Sequence, residues 1–237
     1  MAFLSRNDIE ALAGKILSNY KNLHRFDDFP ADWVDPYILA HDLLGLTIDY
    51  YHLSDDGSIL GLTSQSVVGV EVMDDDGQQL IYCLDGRTIL IETALREDES
   101  QRGRHNFTVM HETAHQILGD LYSKPGRKAS CRIHYCTTKP IKDWDEWQAD
   151  TMASALLLPA DFVRNALRYV GLNNGITVSN RCRNPKEYRQ FCEAAAFLGS
   201  SKQALAIRME QLGLLRREQC RAVSVYMDDD EKEDDIE

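Results

Sequence analysis

The sequence contains no apolar run near the roughly 20 residues that a bilayer-crossing helix needs, which excludes a helical integral membrane protein. Its first residues carry no charged segment followed by a long apolar one, so no secretory signal is read. There are no internal repeats, and the only compositionally biased segment is acidic. With 14 glycines and 6 prolines in 237 residues, the chain is not collagen-like. Basic residues are in deficit, 26 against 38 acidic ones, for a net charge of -12. That balance argues against a protein whose main task is wrapping nucleic-acid phosphate. Six cysteines are too few for a disulfide-dense scaffold. Without a signal they read as reduced thiols in a cytoplasmic protein. Cys131, His134 and Cys136 form one close group, and no second cysteine pair completes four ligands. The group reads either as a structural zinc site or as plain or redox-active thiols.

What is present suffices for a substantial core: 43% of the residues are hydrophobic. The charge is unevenly spread. Residues 228–237 hold eight acidic side chains and one lysine, leaving a net -5 on everything before them. This tail reads as a solvated extension unable to bury enough apolar surface to order itself, with occupation of a basic groove as the alternative. Residues 122–142 are the opposite, with Lys124, Arg127, Lys128, Arg132, Lys139 and Lys142 and no acid. They read as a solvated loop or as one that attracts an acidic substrate segment.

Periodicity predicts an α+β fold. Ile9, Leu12, Ile16 and Leu23 mark a helix over 8–23, and a short helix over 35–44 stops at Gly45. Strands follow over 46–53, 59–63, 67–73, 79–84 and 87–92, punctuated by Asp56-Gly57, Asp76-Gly77 and Asp85-Gly86. They form a small, mostly antiparallel sheet. A charged loop over 96–104 leads into helices that continue almost to the end.

The helix opening near His105 is amphipathic, with Phe107, Met110, Ala114, Ile117, Leu118 and Leu121 on its apolar side. It contains His111-Glu112-Thr113-Ala114-His115. Residues four apart share a helix face, so both imidazoles can address one ion. Glu112 stands beside them, able to take a proton from a water on zinc, whose pKa the ion lowers toward about 7. A further helix over 143–158 ends at Pro159 and carries Glu146 and Asp150 on one face. Glu146 is either the third metal ligand or the partner of Asp143 in a capping box. Asp150, one turn on, is placed to accept a hydrogen bond from the far nitrogen of a ligating histidine.

Residues 107–115, Glu146-Trp147-Gln148-Ala149-Asp150 and Leu156-Leu157-Leu158-Pro159 resemble the ImmA/IrrE family of bacterial zinc metallo-endopeptidases. Ser58-Ile59-Leu60-Gly61-Leu62-Thr63, Ile89-Leu90-Ile91 and residues 200–215 extend that resemblance over most of 8–218. The zinc motif is generic, and the leucine-proline and C-terminal segments are more distinctive. The resemblance implies a zincin-like minimal peptidase with zinc on His111, His115 and Glu146 and with Glu112 as general base. It also implies a cytosolic protein substrate, a helix-turn-helix transcriptional repressor being the family's typical target. Two departures stand out. Asp150 occupies a position where the family often has asparagine, and the insertion 122–142 separates the two motif helices.

The expected organisation is a metallopeptidase domain over 1–159, a helical subdomain over 160–218 and the acidic tail over 219–237. Helices over 185–197 and 201–212, joined at Leu198-Gly199-Ser200, resemble a helix-turn-helix. Only Lys202, Gln203 and Arg208 offer base or phosphate contacts there, too few for a DNA reader. The competing function is a DNA-binding or scaffold regulator that keeps a zinc site without proteolysis. His105, His134 and Tyr135 are within sequence reach of an oxyanion role, and the residues alone do not choose among them.

Overall fold

The computed structural model describes residues 3–23, 33–122, 133–138, 143–173, 175–176 and 184–215. Helix α1 (Arg6–Leu23) buries Ile9, Ala13, Leu17 and Tyr20. The buried stripe is thus rotated from the expected one, and Leu23 at the helix end is exposed. Ile38–Leu43 forms a wide π-type turn rather than an α-helix, closed by Gly45 at φ +63°.

The strands are β1 (Thr47–Tyr51), β2 (Ile59–Ser64), β3 (Val67–Met73), β4 (Gln79–Asp85) and β5 (Thr88–Glu92). Beyond them the chain forms α2 (Thr93–Glu97), α3 (Arg102–Tyr122) and β6 (Ile133–Thr137). The remaining helices are α4 (Trp144–Leu157), α5 (Ala160–Tyr169), α6 (Pro185–Phe197) and α7 (Lys202–Gln211). The architecture is α+β with a small, mostly antiparallel sheet.

The six strands fall into two sheets. β3 and β4 pair with each other as a two-stranded hairpin, whose Met73 also forms a backbone bridge with His52. The other four make a sheet in the order β1-β5-β2-β6, in which β1 and β5 run parallel. β5 is buried along its whole length, as a strand covered on both faces must be. β6 lies inside the segment expected to be a basic loop; it pairs antiparallel with β2 and sets His134 opposite Thr63. Residues 96–104 are largely helical, not a charged loop, since α2, a 3-10 turn and the start of α3 occupy them.

α3 lies between β2 and α4 and is buried without interruption from Thr108 to Gln116. Polar side chains pin it to the sheet edge. Gln116 Nε2 donates to Thr63 Oγ1 at 2.7 Å and to Ser64 O at 2.9 Å, and Gln65 Nε2 donates to the His115 carbonyl at 2.9 Å. The largest apolar cluster gathers residues from α1, α3, α4, α5, α6 and α7, from Ile9 through Leu156 to Met209. Arg208 is buried within it, its guanidinium paired with both carboxylate oxygens of Glu10 and its Nε donating to the Leu158 carbonyl at 2.8 Å. The expectation that Arg208 offers a nucleic-acid contact is therefore corrected: its donors are used inside the fold. Ile207 is exposed, whereas Leu205 and Met209 are buried. No helix among the described residues is long and apolar enough to cross a membrane.

Candidate metal centre

The helical repeat of α3 brings His111 and His115 onto one face, with Nε2 atoms 3.1 Å apart. α4 packs against that face. Asp143 caps α4 by accepting from Asp145 N, and the Glu146 side chain turns inward to the histidines instead of back to the cap. Glu146 Oε2 lies 3.2 Å from His111 Nε2 and 3.4 Å from His115 Nε2. One turn on, Asp150 Oδ1 accepts from His111 Nδ1 at 2.9 Å. The structure thus brings together these four residues that the sequence singles out, because two helices with i, i+4 pairs face each other.

Two further groups complete the surroundings. Glu112 points from α3 toward the sheet, fully buried, and its Oε1 accepts from Cys136 N at 3.1 Å. Its Oε2 is buried without a partner. His134 stacks on His115 with ring centroids 4.1 Å apart, and its Nδ1, also buried without a hydrogen bond, lies 3.8 Å from Glu146 Oε1. The two-residue period of a strand turns His134 and Cys136 toward α3 and leaves Tyr135 facing outward. Of the three oxyanion candidates only His134 is beside the cluster. His105 bonds Tyr50 instead, with Nε2 3.0 Å from the hydroxyl.

The donor set fits a metal ion. Ligands around a tetrahedral zinc, at about 2.0–2.1 Å from it, are about 3.3 Å from one another. Hydrogen-bonding to Asp150 through Nδ1 leaves His111 Nε2 as a lone pair, and it converges on His115 Nε2 and the Glu146 carboxylate. Such an arrangement is repulsive unless a proton or a cation sits among them. The buried His111, His115 and Glu146 cluster can hold a metal ion. Without one, the charge falls on His111. Burial resists it, but the carboxylates of Asp150 and Glu146 prevail and lift His111 to about 10. His115 is lowered to about 4, chiefly by burial and then against the favourable Glu146 contact, with the neighbouring His111 charge adding to the drop. Burial works to raise Glu146, yet hydrogen bonds from His111 and His115, with His134 close by, drive it far below the usual carboxylate range. Glu112 is pushed up to about 8 by burial, with His111 pulling it down and Glu146 adding to the rise.

Cys136 also lies near His111 and Glu112. In the metal-free protein burial, and next the charge of Glu112, push its thiol well above its ordinary value. Its backbone N–H serves the site by donating to Glu112. Cys131, all six basic residues of the insertion and the acidic tail lie outside the described residues.

Sequence reasoning reached His134 as one of three oxyanion candidates and in the group with Cys131 and Cys136, but not as a residue of a strand, although Ile133-His134-Tyr135-Cys136-Thr137 has the alternation of one. It also missed the packing role of Gly61. A Cβ at that position would meet Thr108 Cγ2 at 2.8 Å and Glu112 Cγ at 3.1 Å. No protein-family model matches the chain, and no curated protein is significantly similar to it.

Proposed function

We propose that this chain is a zinc-dependent endopeptidase of the ImmA/IrrE type, with a zincin-like site in which His111, His115 and Glu146 hold the ion. The observation that carries this reading is the pairing of two features. Three lone-pair donors converge at 3.1–3.4 Å, and a buried carboxylate with one unpartnered oxygen stands beside them.

When bound, zinc would polarise a scissile carbonyl and lower the pKa of a water toward about 7. Every other element belongs to the chain. Asp150 holds the His111 ring through Nδ1 so that Nε2 faces the cluster. Cys136 N–H fixes Glu112 Oε1, which leaves Oε2 as the atom that takes a proton from water as its oxygen adds to the carbonyl carbon. The same oxygen returns that proton to the departing amine nitrogen. Burial raises the Glu112 carboxyl in the metal-free protein, the direction that helps it hold a transferred proton. His134, buried beside Glu146 with a free Nδ1, is the side chain best placed to steady negative charge developing on the carbonyl oxygen.

The substrate class proposed is a cytoplasmic regulatory protein such as a helix-turn-helix repressor, resting on the resemblance of residues 107–115, 146–150 and 156–159. A role for α6 and α7 in packing rather than DNA reading is supported by Arg208, which is consumed by Glu10 and Leu158.

The test combines metal analysis with cleavage of a repressor encoded beside this chain. Purified protein is expected to carry one zinc and to cut the repressor. Glu112→Gln should keep the zinc and lose cleavage by about three orders of magnitude or more. Zinc retention with equal repressor processing in wild type and Glu112→Gln would instead favour a non-proteolytic regulator.

A further inference from the structure

A second cavity, of about 210 Å³, lies away from the metal cluster against the first turns of α3. Its walls come from three places. The segment preceding the π-type turn gives Trp33 and Tyr37, β1 gives Tyr50, and α3 gives Arg102, His105 and Asn106. Aromatic rings dominate the wall, which suits a flat ligand.

The polar groups of this wall are mostly occupied. His105 stacks on Tyr50 at 5.8 Å between centroids and bonds its hydroxyl. Asn106 donates to the Gly199 carbonyl at 2.8 Å, tying the cavity floor to the α6–α7 turn. Asp35, the acid of the wall, is committed to capping: its Oδ1 accepts from the backbone of Tyr37 at 2.8 Å and of Ile38 at 3.2 Å. Burial lowers His105, and the nearby Arg96 charge adds to that, so His105 is neutral near pH 7.

Two guanidiniums stand apart from this pattern. Arg102 lies over the Trp33 ring at 5.7 Å, and Arg96 lies over the Tyr50 ring at 4.8 Å. Neither pairs with a carboxylate among the described residues. Arg102 lines the cavity, whereas Arg96 stands outside its wall and reaches it through the Tyr50 ring. Stacking orients a guanidinium while leaving its planar N–H fork open, the geometry that receives a carboxylate.

We infer that this cavity binds a small planar organic anion, an aromatic carboxylate, with its ring against Trp33 and Tyr37 and its carboxylate on Arg102. Size agrees: an apolar cavity of about 150 Å³ admits benzene, so 210 Å³ leaves room for a ring with one carboxylate. The site is separate from the proposed peptidase chemistry and does not depend on it.

Isothermal titration calorimetry of the full chain tests this, with 4-hydroxybenzoate as probe and 4-hydroxybenzamide as its neutral counterpart. The expected result is one saturable site for the carboxylate, with the amide weaker by about tenfold or more. Arg102→Ala should weaken the carboxylate by about tenfold or more, and Arg102→Lys by less. Trp33→Leu should weaken carboxylate and amide alike. Binding should persist in Glu112→Gln and after chelator treatment. Four results would overturn the inference: no saturable binding up to about 10 mM, equal affinity for the amide, indifference to Arg102→Ala, or loss of binding on chelation, which would move the carboxylate to the metal cluster. Arg102 is exposed, so its variants are expected to melt with the wild type, and a shared melting curve separates lost binding from lost folding.

Discussion

Gly61 and Glu112 are in such close apposition that a single added carbon on the glycine would lie 3.2 Å from Glu112 Oε1. The strand and the helix come closest together where the general-base candidate leaves its backbone. Gly61→Ala should push Glu112 aside, because Thr108 blocks retreat on the other side at 2.8 Å. Proteolysis should fall by about tenfold to a hundredfold with zinc content unchanged, and the fold should lose about 1–3 kcal/mol from overpacking. Peptidase assays beside metal analysis check this, and undiminished cleavage would contradict it.

Asp150 is largely exposed, yet its carboxylate holds the far nitrogen of a buried histidine at 2.9 Å. Asp150→Ala should weaken zinc binding by about tenfold to a hundredfold, read by competition with a chromogenic chelator. Asp150→Asn, which keeps an acceptor oxygen, should cost less. Equal zinc affinity in all three proteins would remove Asp150 from the site.

Stability of the metal-free protein should decline on the alkaline side. His111 is raised from 6.5 to about 10 and Glu112 from 4.5 to about 8. A group raised on folding contributes fully below its ordinary value and loses that contribution as pH climbs through the folded one. His115 and Glu146 are lowered, so their contributions are complete above their ordinary values and fail only in acid. Above pH 6.5, then, only losses remain among these four groups. The melting temperature of chelator-treated protein should drop from pH 6.5 toward 10. Zinc takes the place of the proton and should flatten that decline. Parallel curves with and without zinc would count against the coupled cluster.

Arg208 offers a contrast with Lys202 on the same helix. Removing the buried guanidinium strands Glu10, which is only partly exposed, and leaves the Leu158 carbonyl without its donor. Arg208→Ala should therefore cost about 2–4 kcal/mol, whereas Lys202→Ala, on an exposed position, should change stability by less than about 0.5 kcal/mol. Denaturant titration measures both. An Arg208→Ala protein as stable as wild type would return α7 to consideration as a nucleic-acid contact.

The helix carrying His111 and His115 was legible because two constraints coincide there: an apolar 3.6-residue period and chemistry at i, i+4. Glu146 and Asp150 were legible for the same reason on α4. What sequence could not supply was pairing. Asp56-Gly57 and Asp85-Gly86 mark reversals, but which strand β5 joins is decided by burial on both its faces, and that favoured a parallel partner far away in sequence. β6 was obscured by the lysines and arginines around it, which set the composition of the segment while five residues set its pairing. Arg208 was misjudged because an arginine on a helix face reads as exposed until a carboxylate 198 residues away is known to meet it.

That same clasp has a consequence for biosynthesis. A nascent chain holds every candidate metal ligand once it reaches Asp150, but the guanidinium that fastens α1 to the end of α4 is encoded 50 residues after Leu158. The apolar cluster around Leu156 and Leu157 also awaits Leu205 and Met209. The ligands therefore leave the ribosome before the framework that holds their helices is complete, and full assembly of the centre waits for α7 to be made.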